Sequence, residues 1–247
     1  MDGSESGGAG PRHSEGRGHG WKVAFVAGLA GALIGGGTVA LSSGYLVRTH
    51  LLQNPEILAE ASDRLQQRGM AEAVEANRAA FETPFAGAWA GAENGDVILV
   101  EFFDYACGYC RKSNADIDRL LREDPNLKVV WREWPVLGEP SELAAQASLA
   151  AAQAGRYRAF YDTLFGLGRP DPATIERARQ AAGVPAEAVA RMTGSEAARQ
   201  ELGKNYELAR AIGATGTPTF VVGDQVLQGA VGYEALKDAI AAARAGR

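Results

Sequence analysis

The sequence has few cysteines, few histidines and no excess of positive charge. Its 247 residues include two Cys and three His, and 25 Lys and Arg stand against 30 Asp and Glu, for a net charge of −5. A nucleic-acid partner is therefore not expected, because phosphate binding needs a basic surface. The histidines, His13, His19 and His50, precede the predicted globular domain. Their position excludes from that domain a Cys–His protease, a Ser–His triad and a Cys–His zinc site, and no metal ligands are predicted.

The N-terminal region combines a polar tail with an apolar run. Residues 1–20 are rich in Gly, Ser and charge, and we expect a disordered cytoplasmic tail. Within 21–47, the stretch Val23–Leu41 has 19 residues without a charge, which is long enough to span a bilayer as a signal-anchor helix. The basic residues before it favour an N-terminus on the cytoplasmic side of the membrane and the rest of the chain on the other side. A cleaved signal peptide is the alternative, and both interpretations export the rest of the chain.

Residues 48–83 are predicted to be a helical segment that could mediate oligomerisation. Apolar residues and two asparagines recur at alternating steps of four and three, a heptad pattern. They are Val47, Leu51, Asn54, Leu58, Ala61 and Leu65, and after Gly69 the pattern resumes with Met70, Val74, Asn77 and Phe81. Such a helix must pack on the globular domain or on copies of itself, unless it is a simple spacer. We favour self-association because Asn at seam positions selects register.

The pattern of apolar and polar residues over 84–247 is typical of one α/β domain. The near-continuous apolar run Val97–Phe103 is typical of a buried central strand. A helix, a second strand, a helical block at about 140–212, a strand hairpin and a closing helix are predicted to follow. The elements are expected at 113–122, 127–136, 141–165, 172–182, 185–192, 195–212, 219–222, 225–227 and 233–244. This order predicts a thioredoxin-like sheet with a helical insertion.

The two cysteines form the motif Cys107-Gly108-Tyr109-Cys110 at the predicted start of a helix. A thiolate at Cys107 would face unpaired backbone N–H groups and the positive end of the helix dipole, so its pKa should fall. Cys110, one turn further, should be buried and protonated. Two residues between the cysteines let the pair alternate between disulfide and dithiol. A purely structural disulfide closing so short a loop would stabilise little. We therefore predict a redox-active pair that needs no other cofactor.

Two further positions have open interpretations. Glu101 interrupts the apolar run; it is either a strand-end residue turned to solvent or a buried carboxyl with a raised pKa. A buried carboxyl could shuttle the proton of Cys110. The Thr217-Pro218 pair precedes a predicted strand, where proline is ordinary and its peptide bond is usually trans.

These motifs together resemble a known family. Glu101–Cys110, the later Gly216–Phe220 segment and the helical block between them resemble the DsbA-like branch of thioredoxin-fold proteins. The likeness is in particular to the Com1/ScsC type, which includes suppressors of copper sensitivity. The Asn54–Glu56 segment and the Trp134–Gly138 segment also fit, so the resemblance extends over roughly residues 50–245.

The resemblance implies a role for each motif residue. Cys107 would be the nucleophile and Cys110 the resolving cysteine, with Glu101 as the buried proton acceptor. Pro218 would be a cis-proline facing the cysteines, and Thr217 would offer backbone groups to an extended substrate peptide.

The resemblance also implies an activity, a location and partners. The chain would be a protein-disulfide oxidoreductase or isomerase that forms or reshuffles disulfides in exported, cysteine-containing proteins. It would lie in the bacterial periplasm, tethered to the inner membrane by residues 21–47 or released after signal cleavage. A membrane redox partner and a homo-oligomer through residues 47–81 are expected.

Two features qualify this expectation. The strongest oxidants of the branch carry Pro-His where this chain has Gly108-Tyr109, so we expect a less depressed pKa at Cys107 and a less oxidising disulfide. The alternative function is that of a copper-tolerance protein, in which Cys107 and Cys110 bind Cu(I), because soft thiolates select that ion.

Overall fold

The computed structural model describes residues 44–246. The tail expected at 1–20 lies outside the described residues, as does all but the last turn of the segment expected at 21–47. Within residues 44–246, no helix has both the length and the apolar character needed to cross a bilayer.

The described chain begins with two helices, α1 over residues 44–53 and α2 over Glu56–Glu82. The break falls at Asn54 and Pro55. Proline lacks an N–H and disfavours the helical conformation in the residue before it, so a second helix starts after Pro55. The Asn54 backbone N–H and side-chain amide both donate to the His50 carbonyl, at 2.9 and 2.8 Å, and so close the end of α1.

The described part of the chain divides into two units, residues 44–62 and 63–246. Within the second unit, Val74 and Phe81 of α2 are fully buried in a cluster with Val100 and Phe102. The latter part of the predicted helical seam therefore packs on the globular domain, whereas Leu65 is exposed. The expected domain start near residue 84 thus falls after residues that already belong to the core. Self-association through the earlier seam positions stays a prediction.

A five-stranded sheet forms the centre of the second unit, in the order β1-β3-β2-β4-β5. The strands are β1 Trp89–Gly91, β2 Val97–Phe103, β3 Leu127–Glu133, β4 Thr219–Val222 and β5 Gln225–Gln228. Strands β2 and β3 are parallel, and the other pairs are antiparallel. The apolar run of β2 is central and buried, as predicted. Strand β1 was not predicted, because three residues are too few to show a periodicity.

Seven helices accompany the sheet. They are α3 Gly108–Glu123, α4 Glu139–Gln153, α5 Tyr157–Leu167, α6 Pro172–Ala181, α7 Ala186–Met192, α8 Glu196–Ala211 and α9 Tyr233–Ala245. The helical block is confirmed between β3 and β4. The single helix expected over 141–165 is instead two, α4 and α5, because the chain turns at Gly155 with a φ of 68°.

A buried arginine joins the sheet to α2 and α8. Arg132 of β3 is inaccessible to solvent. Its guanidinium donates to the carbonyls of Ala80, Phe81 and Thr83 at the end of α2, and it pairs with Glu201 of α8 at 2.9 Å. Ala80 and Phe81 are among the last four residues of α2, whose carbonyls have no partner within the helix. The arginine therefore fixes the end of α2 against the sheet.

Candidate active site

The two cysteines lie where the central strand gives way to α3. After β2 the chain turns through Asp104, and the Cys107 N–H donates to the Asp104 carbonyl at 3.0 Å. Cys107 is the N-cap of α3, and Cys110 lies within its first turn. Both are free thiols, with Cys107 7% exposed and Cys110 completely buried. The predicted placement of the pair at a helix N-terminus is confirmed, although α3 begins five residues earlier than expected.

The surroundings of Cys107 favour its thiolate. A hydrogen bond from the Cys110 thiol is the largest cause that lowers the pKa of Cys107, to about 5, and hydrogen bonding by the Thr217 side chain and by the backbone N–H groups of Cys110 and Tyr109 adds to it. Burial opposes the shift. Neither Gly108 nor Tyr109 contributes a cation, and the value lies above the ~3.5 of the most oxidising pairs.

The Thr217-Pro218 loop faces Cys107. The peptide bond between these two residues is cis, as the resemblance implied. The Cys107 thiol donates to the Thr217 carbonyl at 3.2 Å, and the Pro218 carbonyl accepts from the Gly229 N–H at 2.8 Å. The backbone contact of Thr217 with a substrate peptide, which the resemblance implies, stays a prediction; in this dithiol state the Thr217 carbonyl contacts Cys107.

The structure buries Glu101 completely, which excludes the solvent-facing alternative. Its Oε2 atom accepts from Trp131 Nε1 at 2.9 Å and from the Tyr161 hydroxyl at 3.3 Å. Its Oε1 atom has no hydrogen-bond partner among the described residues. Burial outweighs these two hydrogen bonds and raises the pKa of Glu101 to about 8. The carboxyl can therefore exchange a proton near neutral pH.

Cys110 has the opposite character from Cys107. Burial, followed by its hydrogen bond to Cys107 and the nearby Glu101 carboxyl, raises the pKa of Cys110 far above its ordinary value. Its sulfur stays protonated until a base removes the proton. The two thiols of the pair therefore differ in ionisation, since the pKa of Cys107 is lowered and the pKa of Cys110 is raised.

A second buried carboxyl, Glu133, was not singled out from the sequence. It ends β3, is 2% exposed, and accepts from the Tyr157 hydroxyl at 3.4 Å. Burial raises the pKa of Glu133 well above its usual range. A charged residue at a strand end resembles an ordinary solvent-facing position, so local sequence carries no signal for it.

Exposed apolar side chains flank Cys107. Tyr109, between the cysteines, is 68% exposed, and Val136 and Leu137 follow β3. Asp104 ties these positions together, because its Oδ2 accepts from the Val136 and Leu137 N–H groups, both at 2.9 Å. Tyr206 completes the set and donates to the Pro135 carbonyl at 2.6 Å. These four exposed residues, Tyr109, Val136, Leu137 and Tyr206, form what we call the apolar rim.

A cysteine pair at the first turn of a helix, after a central strand and beside a cis-proline loop, defines a thioredoxin-like oxidoreductase site. Residues 98–241 match the family model for the DSBA-like thioredoxin domain. The chain belongs to this family, and the predicted thioredoxin-like fold with a helical insertion is confirmed.

Solved structures support the same assignment. A thioredoxin-like oxidoreductase from Silicibacter pomeroyi is 40% identical, with a TM-score of 0.64 over 67% of this chain and 95% of its own. A linker-deletion variant of Proteus mirabilis ScsC is 29% identical, with a TM-score of 0.69 over 82% and 93%. A periplasmic thioredoxin-like protein from Salmonella enterica is 27% identical, with a TM-score of 0.62 over 68% and 95%. The predicted resemblance to the ScsC type is confirmed.

Curated relatives are much longer. The Na(+)/H(+) antiporter NhaA 1 of Salinispora arenicola is 26% identical over 63% of this chain, and NhaA 3 of Salinispora tropica over 62%. The chain spans 24% of the length of each antiporter.

Proposed function

We propose that this protein exchanges disulfides with cysteine-containing polypeptides and that Cys107 is the attacking residue. The observation that carries the proposal is the contrast between its two thiols. Cys107 favours the thiolate at a helix N-terminus beside Thr217, while Cys110 is buried, protonated and near a carboxyl that titrates close to neutrality. Thiol–disulfide exchange needs a reactive thiolate and a second thiol to resolve the intermediate.

The reaction can be written with atoms and electrons balanced. The Cys107 thiolate attacks one sulfur of a substrate disulfide, forms a mixed disulfide and releases the other substrate sulfur as a thiolate. Cys110 then gives its proton to Glu101 and attacks the Cys107 sulfur. The internal disulfide forms, and the second substrate thiolate leaves. Two electrons pass from the cysteine pair to the substrate, and the reverse sequence oxidises a substrate dithiol.

The apolar rim supports a polypeptide substrate. Tyr109 lies between the two cysteines, and Asp104, whose carbonyl accepts from the Cys107 N–H, also holds the backbone of Val136 and Leu137, so these exposed side chains lie on segments joined to the Cys107 turn. Contact with apolar residues beside a substrate cysteine would remove this surface from water. Such residues are accessible in chains that have not finished folding, the state in which disulfides are formed and reshuffled.

Location and partners belong to the same proposal. The Salmonella protein with a similar structure is periplasmic, and the apolar run at residues 21–47 would export the domain to that compartment. We propose a tether through this run, a membrane protein that resets the redox state of the pair, and self-association through the earlier seam positions of residues 47–81, since Val74 and Phe81 are buried within the chain itself. Both oxidation and isomerisation use the chemistry described above.

The experiment compares the full chain with Cys107→Ser and Cys110→Ser on a reduced substrate and on a scrambled, fully oxidised one. We expect Cys107→Ser to abolish exchange and Cys110→Ser to accumulate a mixed disulfide on Cys107. Activity on the scrambled substrate would indicate isomerisation, and activity only on the reduced one would indicate oxidation. Exchange that survives Cys107→Ser would refute the proposal. Tight Cu(I) binding with negligible exchange would support the copper alternative.

A further inference from the structure

Helix α5 places two buried tyrosines, one turn apart, against two different carboxyls. The Tyr157 hydroxyl donates to Glu133 at 3.4 Å, and the Tyr161 hydroxyl donates to Glu101 at 3.3 Å. The Trp131 ring packs against both, with centroids 5.8 Å from Tyr157 and 5.0 Å from Tyr161. The two tyrosines are thus similar in burial and packing and differ in the carboxyl that their hydroxyl contacts.

The Tyr161 hydroxyl has a second acceptor. It lies 2.7 Å from Asn114 Oδ1, a shorter contact than its 3.3 Å to Glu101 Oε2. A phenol carries one proton and can donate to one acceptor at a time. Asn114 follows Cys110 by one turn on α3 and is partly exposed. Tyr161 therefore stands between the buried carboxyl and the helix that carries the cysteines.

We propose that Tyr161 is a positioning residue whose hydroxyl turns from Asn114 to Glu101 when this carboxyl becomes ionised, and so stabilises the base that deprotonates Cys110. The inference rests on the proposed role of Glu101. Protonated Glu101 carries its proton on Oε1, since Oε2 accepts from Trp131, and Tyr161 then donates to Asn114. Ionised Glu101 is a stronger acceptor and attracts the phenol proton. No proton passes through Tyr161, because its O–H bond stays intact.

Trp131 cannot play this part. The indole N–H donates to Glu101 Oε2 at 2.9 Å in a fixed direction, and residues 44–246 offer it no second acceptor. The Tyr161 hydroxyl can rotate about its C–O bond. The acceptor of the Tyr161 hydroxyl therefore changes when Glu101 gains or loses its proton, whereas the acceptor of Trp131 does not.

The other charged and titratable groups around Glu101 are unchanged by a substitution at Tyr161. They are Cys107 and Cys110 from α3, Arg158 and Tyr157 from α5, Glu133 from β3 and Tyr105 from the turn after β2. Strand β4 presents Phe220 opposite Glu101. Arg158 lies 5.1 Å from the Trp131 ring centre and pairs with Asp118 and Asp162. A change in the pH profile of the exchange reaction when the Tyr161 hydroxyl is removed can then be assigned to that hydroxyl.

The test uses Tyr161→Phe with Tyr157→Phe as its matched control. A model peptide is linked to Cys107 as a mixed disulfide, and the rate at which Cys110 releases it is measured from pH 5 to 9. The pH at which the release rate is half-maximal reports the ionisation of Glu101. Losing a hydrogen bond to a charged group should raise this midpoint by about one pH unit in Tyr161→Phe, so that release slows about ten-fold below the midpoint. Tyr157→Phe should leave the midpoint unchanged.

A second variant gives the opposite sign. Asn114→Ala removes the competing acceptor, so the Tyr161 proton turns to Glu101 in both states and the midpoint should fall. An unchanged midpoint in Tyr161→Phe, or equal shifts in Tyr161→Phe and Tyr157→Phe, would overturn the proposal. Glu101→Gln separates the two levels of inference. If it leaves the profile unaltered, the role of Glu101 itself is refuted; if it abolishes the midpoint while Tyr161→Phe does nothing, only the Tyr161 proposal is refuted.

Discussion

Replacing Glu101 with Gln should stabilise the dithiol form of the protein at neutral pH. Burial raises the pKa of Glu101 from 4.5 to about 8, so folding at pH 7 requires a carboxyl that is ionised in the unfolded chain to take up a proton. The contribution of protonated Glu101 to the free energy of unfolding is complete below pH 4.5 and is lost as pH rises towards 8. From 4.5 to 7 the loss, at 1.36 kcal/mol per unit, is about 3 kcal/mol. A glutamine has no proton to take up and escapes this loss.

The native contacts of the side chain should survive this change. The amide oxygen can replace Oε2 as the acceptor of Trp131 and Tyr161. The amide nitrogen then occupies the position of Oε1, which has no hydrogen-bond partner within the described chain. The difference between the two proteins is therefore mainly one of ionisation.

The measurement is urea unfolding of the reduced wild-type and Glu101→Gln proteins at pH 4, 5.5, 7 and 8. The gap in unfolding free energy should be near zero at pH 4 and grow to about 3 kcal/mol at pH 7. Glu72→Gln, at an exposed position of α2, serves as the control and should show no such growth. A gap that is constant across the pH range, or that favours the wild type at pH 7, would refute the assignment of a raised pKa to Glu101.

Three further outcomes are expected. Glu133→Gln should also stabilise the protein at neutral pH, because burial raises the pKa of Glu133. It should leave the pH midpoint of mixed-disulfide release in place, and a moved midpoint would show that Glu133 takes part in the exchange. Iodoacetamide should alkylate Cys107 at a rate that rises with a midpoint near its pKa of about 5 and is then constant to pH 8. Thr217→Val, which removes the side-chain hydroxyl, should raise that midpoint. A midpoint above pH 8 in the wild type would contradict the thiolate assignment. Arg132→Met should destabilise the domain by about 3–5 kcal/mol in thermal or urea unfolding, since it leaves Glu201 and the last carbonyls of α2 without their partner. The exposed Arg119→Met should behave as the wild type, and equal effects of the two changes would show that the buried contacts contribute nothing.

The reactive cysteine pair could be predicted from the sequence because its chemistry depends on local spacing. The position of Cys107 at a helix start followed from the end of the apolar strand before it. The environment of Glu101 could not be settled in that way. A carboxyl near a strand end has the same local pattern whether it faces water or a helix, and the packing of α5 over β2 and β3 decides the matter.

Trp131 and Tyr161 carry no sequence signal of their own. Trp131 is set beside Glu101 by the register of two parallel strands whose positions are 30 residues apart, and Tyr161 is 60 residues from Glu101. Such contacts depend on how elements pair and dock, which periodicity does not report. Strand β1 escaped prediction because three residues leave too few positions for a pattern, and the division between α4 and α5 because it depends on a single turn at Gly155.

The contact between Arg132 and the end of α2 has a practical consequence for anyone who wishes to shorten the protein for crystallography or NMR. A fragment cut at residue 84 would discard Val74 and Phe81 from the core and expose a buried guanidinium whose acceptors had been removed. A fragment that begins at residue 63 keeps both. The cut at residue 84 leaves the reactive cysteines in the fragment. However, the strand that carries Arg132 also carries Trp131, the indole donor to Glu101. Where the chain is cut should therefore affect the thiol chemistry as well as the yield of folded material.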